Sequence, residues 1–290
     1  MYAELHCLSN FSFLRGASRP EELVERAAKL GYAALAITDE CSVAGVVRAH
    51  VAARERGLKL IIGSEFRLED GLRCVLLARD RAGYGRLCRL ITRGRRAAAK
   101  GEYRLCRDDF NELVAGDRGR GLGGSRKSLA TPASALTPDP YPLTPLLCLW
   151  LPATQPDADA ARWLATLFPG QLWIAVELLT TGRDRRRLAQ LQDLGRELEL
   201  PLVAAGDAHM HSRGRRALQD VLTATRIGTT VEQAGLALFQ NGERHLRPIQ
   251  RVAELHPPEL LAAAVEIASR CTFSLEELRY EYPREIVPAG

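Results

Sequence analysis

His6, Asp39, Glu65, Asp207 and His209 are the side chains whose types and places suggest shared chemistry. His6 closes a short apolar stretch, "YAELHC". Asp39 follows "AALAIT", Glu65 follows "LKLIIGS", and Asp207 follows "LPLVAAG" with His209 two residues on. Imidazole and carboxylate donors together suit borderline cations such as zinc or manganese. Such cations lower the pKa of a bound water and polarise a phosphoryl oxygen, which is the chemistry of phosphoester hydrolysis. The competing reading is structural, because an acid after a strand often caps the next helix. Four such groups at matching strand ends, one within an Asp-x-His pair, favour a site. One feature argues against an intact one: where a second histidine would complete His-x-His, the chain has Leu8.

These groups meet only if the strands that carry them lie side by side. Ser18 with Glu21 spells a capping box, and Pro20 suits a first helical turn, so "PEELVERAAKLG" is expected as an amphipathic helix stopped by Gly31. "AALAIT" then reads as a buried strand, "SVAGVVRAHVAARERG" as a helix, and "LKLIIG" and "RCVLLA" as strands, followed by a basic helix to about residue 99. After residue 145 the alternation resumes with "LLCLWLP", "DADAARWLATLF", "QLWIAVELL", "DRRRLAQLQDLGRELE" and "LPLVAAG". Repeated strand–helix units with short apolar strands predict an α/β protein with a mostly parallel sheet, open or closed into a barrel. In such architectures catalytic groups gather at the C-terminal ends of the strands.

Residues 115–145 are rich in Gly, Pro, Ser and Thr and read as an insertion within one domain. Their "GRGLGG" lacks the preceding strand and the Lys-Ser/Thr pair of a phosphate loop. From about residue 213 the pattern turns helical. The expected division is therefore a barrel over 1–212 with the insertion at about 115–145, then a helical extension over 213–290. "PDAD" at 156–159 superficially suggests the paired aspartates of a polymerase palm, but it opens a predicted helix, where Asp serves capping and the helix dipole.

The 290 residues are 46% hydrophobic and 26% charged, enough for a globular core. No apolar run reaches membrane-span length, and the expected location is cytoplasmic. Seven cysteines without a Cys-x-x-Cys pair argue against a disulfide framework or a zinc ribbon. The net charge of +5 is clustered at 93–104, 182–187 and 213–216. These clusters are either solvated helix faces or phosphate contacts. Arg213, Arg215 and Arg216 are the candidates for DNA contact. Base stacking is not indicated, since no aromatic residues interleave with the clusters. His50, His245 and His256 lack ligand spacing, and Trp150, Trp163 and Trp173 read as core.

"ELHCLSNFSFLRGAS", "ITDECSVAGVVRAH", "LIIGSEF", "ARDRAGYGRLCRLIT" and "LPLVAAGDAHMHSRGRRALQDVLTATRIG" resemble the PHP (polymerase and histidinol phosphatase) domain of bacterial DNA polymerase III alpha subunits. The nearer resemblance is to the error-prone, ImuC-type alpha subunits, with "TDE" for "TDH", "GDAHMH" and "YEYPREIVP". It covers nearly the whole chain outside 115–145. It implies a distorted seven-stranded (β/α) PHP barrel, TIM-like, with the C-terminal helical extension leading into a polymerase domain beyond residue 290. In active members a trinuclear metal cluster is held by His-x-His, Asp-His, a Glu, two further His or Cys ligands and Asp-x-His. By that resemblance His6, Asp39, Glu65, Asp207 and His209 match ligand positions, and Glu40 replaces a histidine but still offers a carboxylate. Leu8 and Arg73 are substituted positions, with Cys74 the alternative to Arg73 if the register shifts by one. Cys148 is a weak candidate for the remaining ligand.

The resemblance thus implies a vestigial or partial site with at most weak or partial occupancy by zinc or manganese. Arg73 stands in for a cation beside Glu65 or Asp207. The leading expectation is a structural PHP module of an error-prone polymerase acting in damage-induced mutagenesis and translesion repair synthesis. Its partners would be the parent's polymerase domains and DNA, with the sliding clamp and mutagenesis accessory proteins reached through the parent, and no membrane. The alternatives are an active metal-dependent phosphoesterase or 3′–5′ exonuclease, and a simple DNA-binding module.

Overall fold

A computed structural model describes residues 1–115 and 145–278. The remainder of the Gly/Pro-rich insertion, including "GRGLGG", and the segment "YEYPREIVP" lie outside the described residues.

Seven strands form one sheet in chain order: β1 (Ala3–Glu4), β2 (Ala34–Ile37), β3 (Lys59–Arg67), β4 (Arg73–Ala78), β5 (Leu146–Trp150), β6 (Leu172–Glu177) and β7 (Leu202–Ala205). The sheet closes on itself just beyond β1 and β7. Leu8 donates its backbone N–H to the Ala208 carbonyl (2.8 Å), and Ala208 donates to the His6 carbonyl (3.0 Å), a parallel bridge that leaves no open edge there. The result is a seven-stranded α/β barrel. Helices α1 (Pro20–Lys29), α2 (Val46–Arg56), α3 (Arg81–Arg96), α4 (Arg107–Ala115), α5 (Ala158–Leu167) and α6 (Asp184–Leu198) accompany the strands. Then come α7 (Arg216–Arg226), α8 (Val231–Ala234), α9 (Ile249–Leu255) and α10 (Pro258–Arg270). The last of these packs against β1 and β7 through Leu260, Leu261, Ala264 and Ile267.

The parallel pattern has one reversal. β1–β2, β2–β3, β5–β6 and β6–β7 pair in parallel, but β4 runs antiparallel to both β3 and β5. The cause is chain length. Only residues 68–72 separate β3 from β4, too few for a helical crossover, and they close a hairpin through Leu68 N–H to Leu72 C=O with Gly71 at φ +87°. The reversal brings the first residue of β4 to the same rim as the last residues of β3.

Two local expectations are corrected. Ser18 and Glu21 do not form a capping box. The N-cap of α1 is Arg19, whose N–H donates to Glu22 (2.9 Å), while Ser18 pairs with His211 and Glu21 with Arg48. Pro20 sits in the first turn as expected. Glu65 does not follow β3 but lies within it, because pairing with β4 extends the strand to Arg67. Among the described residues, no helix is long and apolar enough to cross a membrane.

Candidate functional site

The rim is held in place by a buried carboxylate. Glu4 is buried under the mouth and accepts hydrogen bonds from the backbone N–H groups of His6 (3.0 Å) and Gly206 (2.9 Å) and from Tyr2 Oη (3.0 Å). It therefore staples His6, two residues past β1, to Gly206, the residue after β7, which fixes where His6 and Asp207 emerge. Position 206 must be glycine, since a Cβ there would lie 2.1 Å from the Glu4 carboxylate. Asp207 comes next with φ +45°, a left-handed conformation that Asp tolerates better than most side chains.

His6 is fully buried between carboxylates. Its Nε2 lies 3.0 Å from Glu65 Oε2, its Nδ1 lies 2.8 Å from Glu177 Oε1, and Asp207 Oδ1 is 3.7 Å away. Ionised carboxylates only accept, so both ring nitrogens must donate, and the ring is an imidazolium. Burial lowers the His6 pKa, yet the hydrogen bonds and charges of Glu177 and Glu65 raise it overall. The same pairing counters the effect of burial on Glu177 and brings its carboxyl to about 2.

Three guanidinium groups complete the site. Arg73 directs Nη2 (2.9 Å) and Nε (3.1 Å) to Glu65 Oε1. Arg15 bridges Glu65 (3.3 Å) and Glu40, and Arg244 pairs with Asp207 while stacking on Phe239 with 4.3 Å between guanidinium and ring centre. Burial pushes the Glu65 carboxyl up, but Arg15, His6 and Arg73 hold it well below the usual range.

The expected residues are therefore not all used in one way. His6, Glu65 and Asp207 converge. Glu40 lies at the side, accepting from Arg15 and from Tyr103 Oη (2.9 Å). Asp39 is turned to the loop after β1. Its Oδ1 accepts from the Ser9 N–H (2.8 Å), Ser12 N–H (3.1 Å) and Ser12 Oγ (2.7 Å), and its Oδ2 from Ser9 Oγ (2.7 Å). It does not cap the following helix, whose N-cap is Gly45, but pins the loop after β1. His209 contacts Asp207 Oδ1 through Nε2 (2.9 Å) and the Arg15 carbonyl through Nδ1 (3.2 Å). Leu8 is buried. Cys74 projects to the opposite side of β4 from Arg73, where its thiol neighbours that of Cys148, so neither thiol joins the carboxylates.

Glu177, Arg15 and Arg244 complete the site without having been singled out in the sequence. Glu177 ends "QLWIAVE" as Asp39 and Asp207 end their stretches, so the same strand-end signal marks it. Arg15 sits in a loop, and Arg244 reaches the rim because its carbonyl accepts from the N–H groups of His209 and Met210. No local pattern announces either.

As arranged, the donor set does not fit a trinuclear cluster. Leu8 has no lone pair, Asp39 is saturated, and three cationic side chains lie on the remaining carboxylates. His6, Glu177 and Asp207 do bring ligand atoms within 4.8 Å of one another. However, both His6 nitrogens are spent on carboxylates and Asp207 is held by Arg244.

Among the basic candidates, Arg215 pairs with Glu22 and Arg216 with Asp220 (2.7 Å), while Arg213 is 71% exposed with Glu243 3.9 Å away.

The sequence pattern of the PHP domain family matches residues 4–122. The chain carries a PHP domain. Error-prone DNA polymerases are similar along the whole of it. That of Methylococcus capsulatus is 55% identical over 290 residues, covering 100% of this chain and 25% of the relative. That of Pseudomonas aeruginosa is 53% identical over 289 residues, again covering 100% of this chain and 25% of the relative. The PHP-domain chain thus spans about a quarter of the length of the curated relatives it matches. Among solved structures, one described as a putative metal-dependent phosphoesterase from Bifidobacterium adolescentis aligns at TM-score 0.45 with 19% identity, covering 71% of this chain and 87% of that one.

Buried His209 and His6 of this PHP domain contribute to its pH response in opposite senses. Burial, aided by the nearby Arg15 charge, brings the His209 pKa down to about 3. This ring, unlike His6, is therefore neutral and donates to only one of its two acceptors, Asp207 and the Arg15 carbonyl. The unfolded chain binds the second ring proton below about pH 6.5, so the contribution is complete above this value and is lost as pH falls towards the folded value. Glu177 acts in the same sense lower down, between about 4.3 in the unfolded chain and about 2 in the fold. His6, with a raised pKa, contributes below its unfolded value and loses that contribution as pH rises through the folded one. Urea unfolding between pH 6 and 4 should show His209 adding a slope of up to about 1.4 kcal/mol per pH unit. His209→Gln should flatten that slope, and an unchanged slope would assign the acid sensitivity to other groups.

Proposed function

We propose that this chain is the PHP module of an error-prone DNA polymerase and that it supports the polymerase without hydrolysing phosphoesters. The observation that carries this reading is the set of guanidinium groups of Arg15, Arg73 and Arg244 on the carboxylates where cations would bind. A fixed positive charge satisfies the acids and repels a divalent ion, and arginine does not deprotonate to admit one. The full-length similarity to error-prone polymerases supplies the context. In this reading residues 1–212 are the barrel and 213–290 a helical extension towards the polymerase domains. The parent chain transfers nucleotides during damage-tolerant synthesis in the cytoplasm, and Arg213 is the exposed member of its cluster, available to DNA.

The test combines two measurements on the purified chain. Metal analysis after dialysis against zinc or manganese should find substoichiometric ion, and a labelled primer with manganese should release no nucleotides above background. Tight stoichiometric binding would overturn the reading. So would manganese-stimulated release that Asp207→Ala abolishes, which would instead establish the exonuclease alternative.

A further inference from the structure

At the barrel mouth lies a cavity of about 390 Å³ whose charged groups are not all used among themselves. Below it the charges balance: His6, Arg15, Arg73 and Arg244 face Glu40, Glu65, Glu177 and Asp207. Arg67 and Arg226 then add two positive charges to the lining, and among the described residues neither guanidinium has a partner. Arg67 stands directly opposite Arg73 in the β3–β4 ladder. Like charges in that arrangement repel unless something negative lies between them. Glu65 takes only the Nε and Nη2 edge of Arg73.

A second, independent observation points to the same space. Gln219 lines the cavity and is 1% exposed. Its Nε2 donates to the Arg15 carbonyl (2.8 Å), which fixes the amide orientation, and its buried Oε1 has no partner among the described residues. A buried acceptor left unmatched is costly, and in native structures it usually meets a ligand or water.

We infer that the mouth cavity is a receptor for a small organic phosphate, held by Arg67, Arg73 and Arg226 in place of a metal, with a hydroxyl or amino donor of the same molecule on Gln219 Oε1. Mononucleotides have this combination of groups. Arginine forks match phosphate oxygens in geometry and charge. The inference is of binding without cleavage, because among the described residues the carboxylates of the mouth are held by Arg15, Arg73 and Arg244 and His6 is held by carboxylates. The inference rests on the metal-free reading of the site.

Titration calorimetry of the full chain at low salt, with a chelator present, tests it using inorganic phosphate, a deoxynucleoside monophosphate and the matching nucleoside. The monophosphate should bind more tightly than inorganic phosphate, and the nucleoside should show no binding. Arg67→Ala and Arg226→Ala should each weaken binding about tenfold, the loss expected for one charge-assisted contact. Arg196→Ala, on the exposed face of α6, should leave it unchanged. Gln219→Met should bring the monophosphate down to the affinity of inorganic phosphate. No binding at millimolar ligand would overturn the inference alone, provided metal analysis still finds no ion. Binding that requires removal of the chelator would overturn it together with the metal-free reading. Equal loss in Arg196→Ala would reduce the effect to general surface charge and overturn the site.

Discussion

Glu65→Gln should lower the unfolding free energy by about 3–5 kcal/mol, the range for breaking a buried ion pair on one side. Glu65 is 1% exposed and is the shared counter-ion of Arg73, Arg15 and His6. Glutamine keeps the shape and removes the charge, so three cationic groups face one another at the mouth. His6 can relieve part of this by losing its Nε2 proton, keeping Nδ1–H on Glu177 and accepting from the new amide at position 65. The two arginines have no such escape. Urea denaturation of wild type and variant at neutral pH measures the difference. The same experiment with a chelator separates this account from metal ligation. If Glu65 served a cation, chelation would destabilise wild type and spare the variant. The expected result is that chelation changes neither. A loss below about 1 kcal/mol, the scale of exposed pairs, would show that the network is solvent-screened and holds little together.

Asp39→Ala should be comparably costly, about 3–5 kcal/mol, through hydrogen bonding alone. The carboxylate accepts four hydrogen bonds from Ser9 and Ser12, two of them from backbone N–H groups. Burial raises its pKa, and the four hydrogen bonds from Ser9 and Ser12 offset only part of that rise. The pinned loop also carries Arg15, so losing Asp39 should loosen the contact of Arg15 with Glu65 as well. Ser12→Ala removes one of the four and should cost about 1–2 kcal/mol. Thermal or urea unfolding should therefore rank Asp39→Ala well below Ser12→Ala in stability, with metal content the same in both. Equal stability of Asp39→Ala and wild type would show that the loop does not depend on Asp39 and would leave its carboxylate free to ligate a metal.

These two acids show how far the sequence could be read. Both were visible as carboxylates at the ends of apolar stretches, and a mostly parallel α/β sheet was visible in the alternation, with its closure into a barrel implied only by the resemblance. What each acid does was not visible, because that depends on neighbours far away in the chain. Asp39 meets residues about thirty positions back, in a loop whose path is set by the return of the chain from β1. Glu65 meets Arg73 because five residues are too few for a crossover and force β4 to reverse. Glu177 carried the same strand-end signal as the acids that were singled out. Arg15 and Arg244 carried none, since an arginine in a loop has no periodicity to betray it.

The sequence by itself determined the strand and helix order, the presence of histidine and carboxylates at successive strand ends, and the absence of a donor at Leu8. These are local properties, written in hydrophobic period and residue type. Only the tertiary structure decided what compensates the charge of those carboxylates. Coulombic pairing in a buried mouth acts over a few ångströms in space and is blind to separation along the chain, so residues 15, 73 and 244 meet there only once the barrel has closed.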